Sequence, residues 1–182
     1  MKGTLLSVNI GVRKGHGKTP VAGALLVAEH GIVGDVHAGR WHRQISLLAL
    51  ADINFMRARG LPGLRYGSFA ENLVVDGLDL ARLGPGSRLR LGAGAEIEIT
   101  QIGKECHAAC AIMAKVGECI MPSRGLFAKV LRGGPVAAGD EVGVLAAIAP
   151  KIADAGAPAN LFLHGQATGV SSSSYQTTHQ TA

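Results

Sequence analysis

The chain has 182 residues, of which 47% are apolar and only 4% aromatic, and it carries a net charge of +5. That is one ordinary domain's length, enough to bury a core without disulfide staples, and Leu, Val, Ile and Ala must fill that core. Its three cysteines, an odd count, do not read as a disulfide framework, and no apolar run approaches membrane-spanning length. Scattered basic residues with few aromatics carry no nucleic-acid-binding signature. The simplest expectation is a soluble, cytoplasmic protein with reduced thiols and with neither membrane nor nucleic acid as a partner.

The 26 glycines, without a repeating period, point to many tight turns, as in an all-β fold. In chain order, Gly3 to Ile10 reads as a first strand and Gly11 to Pro20 as a glycine-rich loop without regular structure. The stretch Val12 to Val27 holds Arg13, Lys14, His16 and Lys18 and no acid. It is either a phosphate- or cofactor-holding loop or a solvated one. An apolar segment follows at Val21 to Ala28, then a polar, glycine-broken stretch from Gly31 to Arg43. Ile45 to Leu50 is a compact apolar run, and Ala51 to Arg59 has helical character ending at Gly60.

Phe69 to Val75 reads as a strand turned by Asp76-Gly77, and Leu83 to Gly86 as a turn before the strand Arg88 to Leu91. Ala95 to Ile102 alternates with period two, the mark of a half-buried strand. It runs into Gly103-Lys104-Glu105-Cys106-His107, after which a short helix is expected. Phe127 to Leu131 fits helix or strand, Gly133-Gly134-Pro135 a turn, and Asp140 to Leu145 a last strand. Several short strands with turns between them predict a barrel or sandwich with minor helices. The domain is expected to span residues 1–148. Residues 149–182, rich in Ala, Pro and Gly and then in Ser, Thr and Gln, are expected to form a flexible tail.

Three stretches can carry chemistry. Cys106 follows a strand end beside Lys104 and His107, and positive neighbours favour the thiolate, the reactive and metal-binding form. The alternative is a buried structural cysteine. Cys106, Cys110 and Cys119 with His107 match no standard zinc spacing, while Cys106 and Cys110 on a helix would share a face as a redox pair. The second stretch, Gly34 to Gln44, packs Asp35, His37, His42, Arg40 and Arg43 together. Forked Arg donors suit phosphate or carboxylate; the alternative is a turn capped by Asp35. The third, Gly67 to Leu73, places Glu71-Asn72 where they orient loops, bond a ligand or cap their own turn.

Four motifs in order, GDVHAG (34–39) with Arg43-Gln44, GSFAENL (67–73) with Gly77-Leu78, LGPGSRLRLG (83–92) and TQIGKEC (100–106), resemble the MOSC domain, the C-terminal domain of molybdenum-cofactor sulfurases. The resemblance runs over roughly residues 3 to 146, and beyond Cys106 it is to small bacterial members. It implies a β-barrel and a family cysteine falling on Cys106, which carries sulfur as a persulfide or meets the molybdenum of a bound molybdopterin cofactor. On this reading Cys106 is carrier or metal ligand, Lys104 and Arg43 are anion partners, and Asp35 and His37 shape the pocket floor. Asn72 supports by hydrogen bonding, and Gln44 and His107 complete the cofactor-binding set.

Larger relatives carry an added N-terminal barrel or a pyridoxal-phosphate desulfurase domain. Pyridoxal phosphate binding attaches to the family, since no lysine here sits in a recognisable site for it. The expected partners are a cysteine desulfurase or the enzymes that make or use the cofactor. Three other functions fit the same residues: a non-catalytic cofactor-delivery module, a reductase of N-hydroxylated compounds that needs an electron-donating partner, and a Cys106–Cys110 redox sensor.

Overall fold

A computed structural model describes residues 1–104 and 111–151. The described strands are β1 (Lys2–Ile10), β2 (Thr19–Val21), β3 (Gly23–Val27), β4 (Gly31–Ile32), β5 (Ile45–Ala49), β6 (Leu73–Asp76), β7 (Arg88–Leu91), β8 (Ala95–Ile102), β9 (Leu126–Arg132), β10 (Gly134–Ala137) and β11 (Glu141–Ala146). The helices are α1 (Leu50–Ala58), α2 (Ala111–Val116) and α3 (Met121–Arg124), with a 3-10 turn over Leu80–Arg82.

Seven strands close a barrel in the order β11-β7-β8-β9-β5-β6-β1, and β1 pairs back onto β11. Closure depends on β1 changing partners along its length. Lys2 to Thr4 pair with Gly143 to Glu141 on one side, and Thr4 to Val8 with Asp76 to Leu73 on the other. Its last residues, Val8 to Ile10, bind β2 instead. A bulge between Leu5 and Ser7 resets the alternation, so Leu5 and Val8, three residues apart, are both fully buried. All ring pairings are antiparallel except β5–β6, whose crossover carries α1, as parallel neighbours require. A separate sheet, β10-β3-β4, adds Leu26, Ile32 and Val136 to the barrel core.

The two apolar clusters explain the sequence patterns. In β8, Ala95, Ile97 and Ile99 point into the barrel, the period-two signature of a strand with one wet face. In β5 all five residues are buried, because Ile45 and Leu47 face the barrel while Leu48 faces a second cluster with Ile53, Met56, Phe69, Val74, Met121 and Phe127. That outer layer, built from α1, α3 and the chain before β6, covers one side of the barrel. Gly60, with φ +101, ends α1 in the left-handed conformation that a glycine permits.

The fold is the expected mainly-β barrel with short helices, and three expected boundaries move. Thr19 and Pro20, placed in a loop, pair with Ile10 and Asn9, and the proline is tolerated because β2 ends its sheet. The strand expected from Phe69 begins only at Leu73. Ala70 has φ +61, and the Glu71 carboxylate holds a turn by accepting from the Gly67 and Phe69 N–H groups. Gly134-Pro135, expected to turn, pairs with Leu26 and Leu25. The glycines serve close approach there: a Cβ on Gly133 would lie 2.6 Å from the Leu26 carbonyl oxygen. Phe127 to Leu131, open between helix and strand, lies in β9. The Ile148 carbonyl still accepts from Gly84 N–H at 2.7 Å, and its N–H donates to Ser87 Oγ at 2.9 Å. The tail expected to be flexible, from residue 152 onward, lies outside the described residues.

Candidate functional site

The loops that carry the singled-out residues converge on one buried carboxylate. Asp35, whose side chain is fully buried, accepts from Lys18 Nζ at 2.9 and 2.8 Å and from the Gly11 N–H at 2.9 Å. It also accepts from the His37 N–H at 2.9 Å and Asn72 Nδ2 at 3.0 Å. One side chain thus ties together the end of β1, the residue before β2, its own loop and the entry to β6. Burial alone would push the Asp35 carboxyl up. His37 beside it, the Gly11 N–H and the Lys18 ammonium outweigh that and hold it well below the usual carboxylate range. Burial lowers Lys18 from the ordinary lysine value, against the pull of Asp35 and Glu71, and the charge of Lys104 lowers it further. Lys104 stands at the exit of β8.

Behind this hub runs a buried polar network. Asn72 Nδ2 also donates to the Asn9 carbonyl at 3.1 Å, and Asn72 Oδ1 accepts from the Ser46 N–H and Oγ, both at 3.1 Å. Glu71 is fully buried; its removal from water raises its pKa against the Gly67 and Phe69 N–H bonds and the Lys18 charge. Asn72 is thus a supporting residue of the loops, and Glu71 caps its own turn.

Arg43 and Gln44 lie on the other flank. The Arg43 guanidinium carbon sits 5.0 Å from the Trp41 ring centroid and 5.8 Å from that of Phe127. The Thr100 hydroxyl donates to the His42 carbonyl, fastening this loop to β8. Gln44 Oε1 accepts from the Val130 N–H at 2.8 Å. On this flank Arg43 Nε and Gln44 Nε2 are both buried without a hydrogen-bond partner among the described residues, as is Asn9 Nδ2 in the network behind the hub. His42 Nε2 lies 3.0 Å from Gln101 Oε1 on the surface.

The exit from β8 is tightly specified. Gly103 has φ +67, its N–H donates to the Gly125 carbonyl at 2.7 Å, and a Cβ there would overlap the Pro122 carbonyl oxygen. Only glycine satisfies both demands. Lys104 follows; Cys106, His107 and Cys110 lie outside the described residues. The helix expected after Cys106 is present as α2. Ion pairs Arg59–Glu118 and, at 3.3 Å, Arg124–Asp52 fasten the α2–α3 region to α1. Among the described residues no group of three His, Cys, Asp or Glu side chains is placed to hold a metal ion. No helix among them is long and apolar enough to cross a membrane.

The structure therefore brings Asp35 into direct contact with His37 and Asn72, puts Lys104 at the exit of β8, and sets Arg43 and Gln44 beside β9. Sequence reasoning missed the parts played by Lys18, Ser46 and Asn9. Lys18 stands in a run of cations, where nothing local separates it from Arg13 or Lys14. Its distinction is a carboxylate seventeen residues away.

The family model described as the MOSC domain matches residues 34–143, more than half of the chain. Among solved structures, the YuaD protein of Bacillus subtilis superposes with a TM-score of 0.62 at 21% identity, covering 78% of this chain and 94% of that one. YiiM from Geobacillus stearothermophilus gives 0.60 at 19% identity, covering 79% and 75%. YiiM from Escherichia coli gives 0.58 at 19%, covering 81% and 71%. No curated protein matches the chain. These likenesses share the barrel, and the family model spans the Asp35 loop, the Glu71-Asn72 turn and the β8 exit; the chain belongs to the MOSC domain family.

Proposed function

We propose that the protein is a sulfur carrier of molybdenum-cofactor chemistry, with Cys106 accepting sulfur as a persulfide. The observation that carries this is the β8 exit of a MOSC domain. Gly103 fixes the turn, Lys104 follows it, and Cys106 is two residues further on. Covalent geometry alone keeps the Cys106 Cα within about 7 Å of that of Lys104. A cationic neighbour favours the thiolate. In the transfer, the Cys106 thiolate attacks the outer sulfur of a persulfidated cysteine on a desulfurase. A new S–S bond forms at Cys106, the donor S–S bond breaks, and the donor leaves as its thiolate with no net oxidation.

The donor set fits an anionic cofactor. Lys18 is neutralised by Asp35 and is not available, whereas Arg43 Nε and Gln44 Nε2 are buried donors without partners among the described residues. Arg43 and Lys104 are the residues to hold the cofactor's phosphate, with Gln44 as an auxiliary donor. The cofactor when bound supplies a soft metal centre, for which a Cys106 thiolate is a suitable ligand. Asp35, His37 and Asn72 keep the surrounding loops in register, and His107, next to Cys106 in sequence, is the candidate proton carrier.

The orphaned donors also favour a second reading, a cofactor-delivery module in which Cys106 holds metal and never carries sulfur. A reductase of N-hydroxylated compounds would need an electron-donating partner. One experiment separates the first two: expose the protein to a cysteine desulfurase with cysteine, and weigh it native and denatured. Sulfur gained by wild type and absent from Cys106→Ser, with unfolding unchanged, supports the carrier. Equal gain by the variant contradicts it, and a native mass with bound pterin and no sulfur supports delivery.

A further inference from the structure

The first acidic residue of the chain is Glu29, so the whole β1–β2 hairpin is cationic or neutral. Lys18 is held by Asp35, but among the described residues neither Arg13 nor Lys14 pairs with a carboxylate. Arg13, but not Lys14, lines a cleft of about 440 Å³ on the hairpin. Its apolar wall is Ile10, Val12 and Val21, and its polar wall is Arg13, His16 and Thr19. Val12, Arg13, His16, Gly17 and Thr19 of its lining are exposed, so a ligand there would lie against the surface with one side in water.

The hairpin is moored rather than free. The Gly11 N–H donates to Asp35, the Gly11 carbonyl accepts from Val36 N–H at 2.7 Å, and the Lys18 N–H donates to the Gly67 carbonyl at 2.8 Å. His16 Nδ1 lies 3.1 Å from the Lys14 carbonyl, which orders the tip. The cleft is thus preformed by the same buried hub that supports the proposed cofactor site, while its lining includes neither Arg43 nor Lys104. Val12 is 89% exposed and stands beside Arg13, Lys14 and His16.

We propose that this cleft is a second binding site, for a small amphipathic organic anion whose carboxylate meets Arg13 and whose hydrocarbon body lies on Ile10, Val12 and Val21. An apolar wall alone would take a neutral molecule equally well, and cations alone would take inorganic phosphate. Their combination selects a ligand that has both. Attraction to an exposed guanidinium is screened by salt, so binding weakens as ionic strength rises.

The test is a titration of the full chain with octanoate, followed by amide resonances of Val12, Thr19 and Val21, with octanamide and inorganic phosphate in parallel. Octanoate is expected to shift these resonances saturably and to bind at least about tenfold more tightly than octanamide or phosphate. Arg13→Gln, at an exposed position, is expected to weaken octanoate about tenfold. Lys104→Gln and Arg43→Gln are expected to leave it unchanged, so the result is independent of the sulfur-carrier reading. Equal binding of octanamide, no shifts at the hairpin, or loss of binding in Lys104→Gln would each overturn the proposal; the last would assign the cleft to the cofactor site.

Discussion

Replacing Asp35 by Asn tests the claim that one carboxylate organises the candidate site. Each of its oxygens faces only donors: Lys18 Nζ and the His37 N–H at Oδ1, and Lys18 Nζ, the Gly11 N–H and Asn72 Nδ2 at Oδ2. Whichever way the new amide turned, its NH₂ would point at other donors. Lys18, with its side chain 2% exposed, would be left as a buried ammonium without its hydrogen-bonded counter-charge. Losing one partner of a buried pair typically costs about 3–5 kcal/mol. With a urea dependence of about 2 kcal/mol/M, the unfolding midpoint should fall by about 1.5–2.5 M. Lys18→Met should cost less, about 1–3 kcal/mol, because three donors still satisfy the carboxylate. The double variant should recover part of the loss, with a coupling of about 1–3 kcal/mol in the cycle. A midpoint for Asp35→Asn within about 0.5 kcal/mol of wild type, or strict additivity in the cycle, would refute the hub.

The same carboxylate sets an acid limit. Its folded pKa lies below the unfolded value of 3.8, so the unfolded chain binds more protons there; stability present above that value is lost as pH falls toward the folded pKa, and Asp35→Asn should flatten this acid limb. Glu71 has the opposite sign: its pKa is raised, so its contribution is fully present below 4.5 and is lost as pH rises through the folded value. Glu71→Gln should remove that slope yet cost about 1–3 kcal/mol near neutral pH, since one of the Gly67 and Phe69 N–H groups would face an NH₂; denaturant melts at several pH values check both. Gly103→Ala meets the Pro122 carbonyl and a left-handed φ at once. It should destabilise by about 2–4 kcal/mol by denaturant melting, and sulfur loading of the folded fraction should fall as well; an unchanged melt would contradict the close approach.

How much of this was legible depended on sequence distance. The inward set of β8, Ala95, Ile97 and Ile99, followed from period two alone, and α1 from its pattern and Gly60. The start of β6 did not, because Glu71 captures the N–H groups of Gly67 and Phe69, and a side-chain turn of that kind imitates strand composition. Barrel closure was not readable either: Thr4 meets Glu141 across almost the whole domain, and no local pattern encodes that pairing. In the site, motif order marked Asp35, Asn72 and the β8 exit. Lys18, one cation in a loop left open between anion-holding and solvated, was not singled out, because its burial against Asp35 depends on three loops meeting.

The most direct test of the account is the intact mass of wild-type protein after incubation with a cysteine desulfurase and cysteine, read with and without reductant. The account predicts a gain of one sulfur atom, mapped to Cys106 by peptide analysis and removed by reductant. No gain, with Cys106 still open to alkylation and the desulfurase active, would contradict it.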